Sequence, residues 1–303
     1  MVCITATSPM PEFIKALLLG IIEGITEFLP ISSTGHLLIA EKWLGHRSDL
    51  FNISIQAGAI LAIVLIYREK LWALFTTFLG RDTSFKALVA DPSKSAAELA
   101  SMRNELKASR EYTLKLVLAF VVTSVLGILV KATGWELPEN VRPIAWALII
   151  GAVWMVIAEF LAAKRAAKLG EQTKVSWLTA VLVGVAQVVA GVFPGTSRSA
   201  STIFVALLAG TTSRAAATEF AFLVGIPTMF AATFYELLSL YRHDQIGSEN
   251  WSSLAIAFVA STVTAFIAVK WLLRYIQTHN FNLFAVYRIL LGLALLFLIP
   301  GLT

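Results

Sequence analysis

Two glutamates, Glu23 and Glu27, stand four residues apart in an otherwise apolar stretch of the chain. On a helix this spacing projects both carboxylates from one face. Charge inside a membrane-length apolar segment is costly, so function is the default reading of such a pair. Close carboxylates hold a hard divalent cation or divide into acid and base. Ser32, Ser33, Thr34 and His36 follow at once. Hydroxyls beside the free N–H groups of a helix start cradle phosphate. An imidazole next to them moves protons near neutral pH or attacks phosphorus. Far downstream, Thr196, Ser197, Arg198 and Ser199 form a second cluster. Its guanidinium matches phosphate oxygens bidentately. One pocket uniting the two clusters is a site for a phosphorylated ligand, whether cleaved or carried. Within it the nucleophile is Ser33 with His36 as base, or His36 itself, or a metal-bound water; spacing does not choose. The blander reading makes the hydroxyls helix caps and Arg198 a counter-charge for the glutamates.

The elements that must position these groups are membrane helices. Of 303 residues, 57% are apolar and 14% charged, against about 45–50% and 25% in soluble domains. A soluble protein of this length could not hide so much apolar surface, so the composition excludes a disordered chain and disfavours a soluble enzyme. The net charge of +5 reads as membrane orientation, not nucleic-acid binding. The lone Cys3 and four scattered histidines exclude an internal disulfide and make a multi-His zinc site improbable. The N-terminal residues lack the positive charge of a cleavable signal. Apolar stretches predict six full spans near 50–67, 112–131, 143–163, 215–240, 251–273 and 283–300. Two further apolar segments, 12–45 and 175–212, are broken at Pro30 and Pro194 by proline and small hydroxyl residues. Their halves are too short to cross alone, which predicts re-entrant helix-loop-helix hairpins.

The broken segments align at an offset of 164, matching Gly20 to Gly184, Glu23 to Gln187, Pro30 to Pro194 and Ser33 to Ser197. Each precedes three spans. The expected architecture is therefore an all-α polytopic membrane protein, a single domain over 1–303. It is built of two inverted-topology repeats, about 12–168 and 172–303, as in transporters. Loops 68–111 and 164–174 hold eight and four Lys or Arg and 270–282 holds two, while the alternate loops 41–49, 131–142 and 241–250 hold two, two and one. The first group is thus cytoplasmic, the first hairpin enters from outside and the second from the cytoplasm. Residues 80–110 read as a cytoplasmic loop with some helix. Glu219 and Arg288, near span ends on this topology, are expected to pair with each other.

The run Glu23-Gly-Ile-Thr-Glu27-Phe-Leu-Pro-Ile-Ser-Ser-Thr-Gly-His36 closely resembles the first signature of the bacterial undecaprenyl-diphosphate phosphatases of the BacA type. Pro194-Gly-Thr-Ser-Arg198-Ser199 is similar to their second, and Glu219–Pro227 and Tyr287-Arg288 also match. The resemblance runs from about residue 12 to 300. Ala200 departs from it, since the family usually has glycine there, and the 80–110 loop is longer than the family needs. The resemblance implies hydrolysis of undecaprenyl diphosphate to undecaprenyl phosphate and inorganic phosphate. That reaction recycles the lipid carrier of cell-wall synthesis, and excess enzyme is associated with bacitracin resistance. It implies a divalent cation, magnesium or calcium, held by Glu23 and Glu27. Catalytic duties fall on Glu23, Glu27, Ser33, His36 and Arg198, with Ser32, Thr34, Thr196, Ser197 and Ser199 binding phosphate. The partners are a polyprenyl diphosphate and the bacterial cytoplasmic (inner) membrane, crossed many times, with no nucleic acid; a homodimer is left open. The rival is a prenyl-phosphate transporter or flippase, whose plan the inverted repeats share. Acid-phosphatase-like lipid phosphatases are rejected because the next histidine after Arg198, His243, falls in a loop, and nucleotide kinases because no phosphate-binding glycine loop is present.

Overall fold

The computed structural model describes residues 10–79, 95–134, 141–243 and 250–298, and every regular element among them is an α-helix. In chain order these are α1 (Glu12–Thr26), α2 (Ser33–Leu44), α3 (Asp49–Phe78), α4 (Ala96–Ala132), α5 (Val141–Leu169), α6 (Trp177–Val192), α7 (Arg198–Leu208), α8 (Arg214–Arg242), α9 (Trp251–Thr278) and α10 (Asn282–Leu298). Among the described residues, α3, α4, α5, α8 and α9 are long and apolar enough to cross a membrane. The protein is therefore a multi-pass membrane protein. The sixth expected span, 283–300, corresponds to α10, of which 17 residues are described, short of that length. Only 17% of the apolar part of α4 is buried in the bundle, so most of that helix faces outward.

The helix that carries the span 50–67 continues to Phe78, and the one that carries 112–131 begins at Ala96. Residues 96–110, expected as a loop with some helix, are helical throughout and form the first turns of α4, while 80–94 lie outside the described residues. The cause is local. Ser95 and Glu98 form a reciprocal capping box, and the polar residues that follow are good helix formers. Their polarity marks where the helix leaves the apolar layer, not where it ends.

Both apolar segments are broken where expected, α1 from α2 at residues 27–32 and α6 from α7 at 193–197. The register between them differs from the sequence alignment by one residue. Ser32 and Ser197 are the N-caps of α2 and α7, and they share a left-handed backbone with φ 74° and 68°. No other non-glycine residue among those described has positive φ. Ser197 therefore corresponds to Ser32, not Ser33, because the second loop holds one more residue between its proline and its cap. Gly195, at φ 96°, lies in that longer loop. Ala200 sits inside α7 and gives its backbone N–H to Ser197 Oγ, so its methyl group meets no backbone constraint.

Packing repeats the same pattern. α1 lies along α9 and α6 along α4, while α5 packs on α10 and α3 on α8. Both broken helices approach their partners through glycine. A Cβ on Gly20 would collide with the carbonyl of Ala257, and one on Gly184 with that of Ala119. This is the small-residue packing of membrane helices. Cross-links add to it: Thr123 Oγ1 donates to the Gly184 carbonyl at 3.0 Å, and Ser261 Oγ to that of Ile55 at 2.6 Å. The main apolar core holds Phe28, Leu29 and Ile31 of the first loop, and Phe28 meets Phe222 of α8 edge-on at 5.3 Å. The break after Glu27 is thus anchored by its own apolar residues.

Candidate active site

Glu27, Ser32, Ser33, Thr34, Ser197 and Arg198 line one small polar cavity. Residues more than 160 positions apart meet there because both hairpin tips end at the same place. In the corrected register Ser33 and Arg198 are equivalent, each the first residue of its helix. One hairpin offers a hydroxyl and the other a guanidinium, and two helix N-termini face the same small volume. Ser33 Oγ donates to Glu27 Oε2 at 2.5 Å. Arg198 acts electrostatically on both Glu23 and Glu27 but forms no ion pair with either. Its guanidinium also makes no hydrogen bond to a described residue, which leaves its donors for an anion.

Glu23 lies one turn earlier on α1 and is 1% exposed. It borders a larger cleft of about 680 Å³ between α2 and α3, which Ser33 and Thr34 also line. Its Oε2 is buried without a hydrogen-bond partner. No group of three or more His, Cys, Asp or Glu gathers into a metal centre among the described residues. Two buried carboxylates with an unsatisfied oxygen nevertheless suit a hard cation. Magnesium commonly takes one or two protein carboxylates and completes its shell with water and substrate phosphate.

The other expected residues are engaged elsewhere. His36 Nδ1 is 2.7 Å from the Ser32 carbonyl, which only accepts, so Nδ1 carries a proton. In the neutral ring Nε2 then accepts from Tyr287 O–H, 2.7 Å away. His36 makes no hydrogen bond to Ser33 and does not itself line the cavity, which it reaches only through the Ser32 carbonyl. Ser199 Oγ donates to the Leu29 carbonyl at 3.0 Å and Thr196 Oγ1 to that of Phe193 at 2.7 Å. These two hydroxyls tie the hairpin tips, and only Ser32, Ser33, Thr34 and Ser197 face the cavity.

Sequence reasoning misassigned Arg288. It does not pair with Glu219, whose partner is Lys70 of α3. Arg288 is fully buried and donates to five carbonyls: Pro30 of the first loop, Gly195 and Thr196 of the second, and Ala147 and Leu148 of α5. A guanidinium has five N–H donors, so one side chain uses its whole capacity to join both tips to α5. Its adjacency to Tyr287 was visible in the sequence, but its partners are backbone groups that no residue type announces.

The chain matches the family model described as bacitracin resistance protein BacA over residues 16–294. It belongs to this family. Proteins named undecaprenyl-diphosphatase resemble it over nearly their whole lengths. That of Xanthomonas euvesicatoria pv. vesicatoria is 56% identical over 96% of this chain and 99% of its own. That of Xanthomonas campestris pv. campestris is 56% identical over 96% and 100%. That of Rhizobium johnstonii is 56% identical over 94% and 96%. For this member of the family, the resemblance first carried by the motif at Glu23–His36 thus reaches all ten described helices.

Proposed function

We propose that the protein hydrolyses undecaprenyl diphosphate to undecaprenyl phosphate and inorganic phosphate in the bacterial inner membrane, recycling a lipid carrier. The observation that carries the reading is the convergence of Glu27, Ser33 and Arg198, from two distant segments, on one polar cavity. A carrier that only moved its ligand would need the guanidinium but not a hydroxyl hydrogen-bonded to a buried carboxylate. The relatives named as diphosphatases support the same choice over the flippase.

Arg198 and the N-termini of α2 and α7 hold the diphosphate oxygens, opposing charge that grows as the terminal phosphoryl group leaves. Glu27 takes the proton of Ser33 as its Oγ attacks the terminal phosphorus. The P–Oγ bond forms, the bridging P–O bond breaks, and undecaprenyl phosphate departs. Water then cleaves the phosphoserine, releasing phosphate and regenerating Ser33. Glu23 and Glu27 would hold magnesium or calcium, which when bound neutralises phosphate charge. His36 orders the turn at Ser32 through its carbonyl. The prenyl chain lies in the apolar groove of about 550 Å³ between α5, α6 and α7, lined by Trp146, Ile150, Trp154 and Phe193. The two broken helix pairs are re-entrant hairpins of inverted repeats, with the α2–α3 cleft opening to the outer face.

Phosphate release from a prenyl diphosphate by the purified protein in detergent tests this reading. Release is expected to need a divalent cation and to fall by at least about a hundredfold in Arg198→Ala, the scale of losing one charge-stabilising donor. Acid quenching during turnover should trap phosphate on Ser33. Turnover with no trapped phosphate would transfer the attack to a water activated by Glu27. No release from folded, lipid-binding protein would favour the transporter.

A further inference from the structure

The polar cavity and the α2–α3 cleft share three lining residues, Ser33, Thr34 and Gln56. A ligand passing from the cleft to Arg198 therefore goes between the start of α2 and Gln56 of α3. The Gln56 side chain is partly buried, yet its amide makes no hydrogen bond to any described residue. An amide in an apolar bundle is costly unless water or a ligand meets it. The backbone that carries Gln56 is fixed. The carbonyl of Ile55, just before it, accepts from Ser261, and Gly58, just after, packs against the Phe258 carbonyl so closely that a Cβ would clash. Those contacts fix the register of α3 on α9 and hold Gln56 at the throat.

We propose that Gln56 binds the diphosphate group of the substrate at this throat, donating to its non-bridging oxygens from the wall opposite Ser33 and Thr34. A neutral amide suits the place. It supplies two N–H donors without adding a charge beside Glu27 and Arg198, whose balance sets how an anion is received. The inference builds on the phosphatase reading and adds a third wall, α3, to a site otherwise made by the two hairpins.

The test uses the full-length protein in detergent, with Gln56→Met as a variant of similar size and Gln56→Ala as the second. Two quantities are measured on protein matched for melting temperature and elution. These are the steady-state constants for a prenyl diphosphate and the affinity for its non-hydrolysable methylenediphosphonate analogue. Losing a hydrogen bond to a charged group should lower kcat/KM about ten- to hundredfold. The loss should lie mainly in KM, and analogue affinity should fall in parallel. A folded variant that binds the analogue as the wild type does overturns the proposal, as does one that loses kcat alone. Wild-type protein that binds the analogue but releases no phosphate would end the phosphatase reading. The wild-type to variant affinity ratio would then still decide whether Gln56 holds the diphosphate.

Discussion

Ser32 and Ser197 occupy a backbone conformation that glycine adopts without strain and that costs other residues about 1–2 kcal/mol. Serine at both positions calls for its hydroxyl. At Ser197 part of that use is visible, since Oγ caps α7 through the Ala200 N–H. At Ser32 Oγ makes no cap, and the carbonyl is held by the His36 ring instead, leaving the hydroxyl to the cavity. Ser32→Gly should therefore keep or raise the melting temperature in detergent while lowering phosphate release at least about tenfold. In Ser197→Gly, strain relief of about 1 kcal/mol and loss of a cap worth about 1 kcal/mol should nearly cancel in stability. Thermal unfolding and phosphate release on the same preparations check both. A stabilised Ser32→Gly with full activity would mean that the strain serves only the turn.

Two cations, one partly exposed and one fully buried, show how an element's role depends on its partners. Lys70 pairs with Glu219 between α3 and α8 at a partly exposed site, where an ion pair contributes at most about 1 kcal/mol. Arg288 of α10 has no carboxylate partner and instead satisfies carbonyls of two loops that lack helical partners of their own. Glu219→Gln is expected to lower stability slightly and leave specific activity normal. Arg288→Gln should do far more. It strands several buried carbonyls at about 1–3 kcal/mol each and frees both hairpin tips. Both melting temperature and activity per folded molecule should fall, the activity at least about tenfold. Normal specific activity in folded Arg288→Gln would confine this arginine to stability.

Across the whole molecule, orientation follows from loop charge, and labelling tests it. With Cys3→Ser as background, the α2–α3 turn is expected outside and the α5–α6 turn inside. A membrane-impermeant thiol reagent should label His46→Cys in intact cells and leave Glu171→Cys unlabelled until the membrane is opened. The reverse pattern would invert the topology and place the α2–α3 cleft on the cytoplasmic face. His46 is well exposed, and its contact with Glu41 belongs to the cleft mouth, so the substitution reports position with little effect on the bundle. The α1 start is tied to the same turn by Glu12, which pairs with Lys15 and with Arg47. The hydrogen bond from Lys15, then that from Arg47, holds the Glu12 carboxyl below the usual carboxylate range.

Apolar run length, the two proline breaks and the Glu23–His36 and Pro194–Ser199 motifs were enough to specify a helical membrane protein, its broken segments and most of its cavity residues. These features are local, written in residue type and spacing, and the bilayer makes a helix the way an unbroken apolar run satisfies its own backbone. Other features depended on which surfaces meet. The one-residue shift that makes Ser33 equivalent to Arg198 arises from loop geometry, which an alignment by residue type misplaces. The turn of His36 toward Tyr287, the carbonyl clamp of Arg288 and the position of Gln56 at the throat each join segments far apart in the chain. Their partners are often backbone atoms, identical at every residue, so only the packed helices select among them.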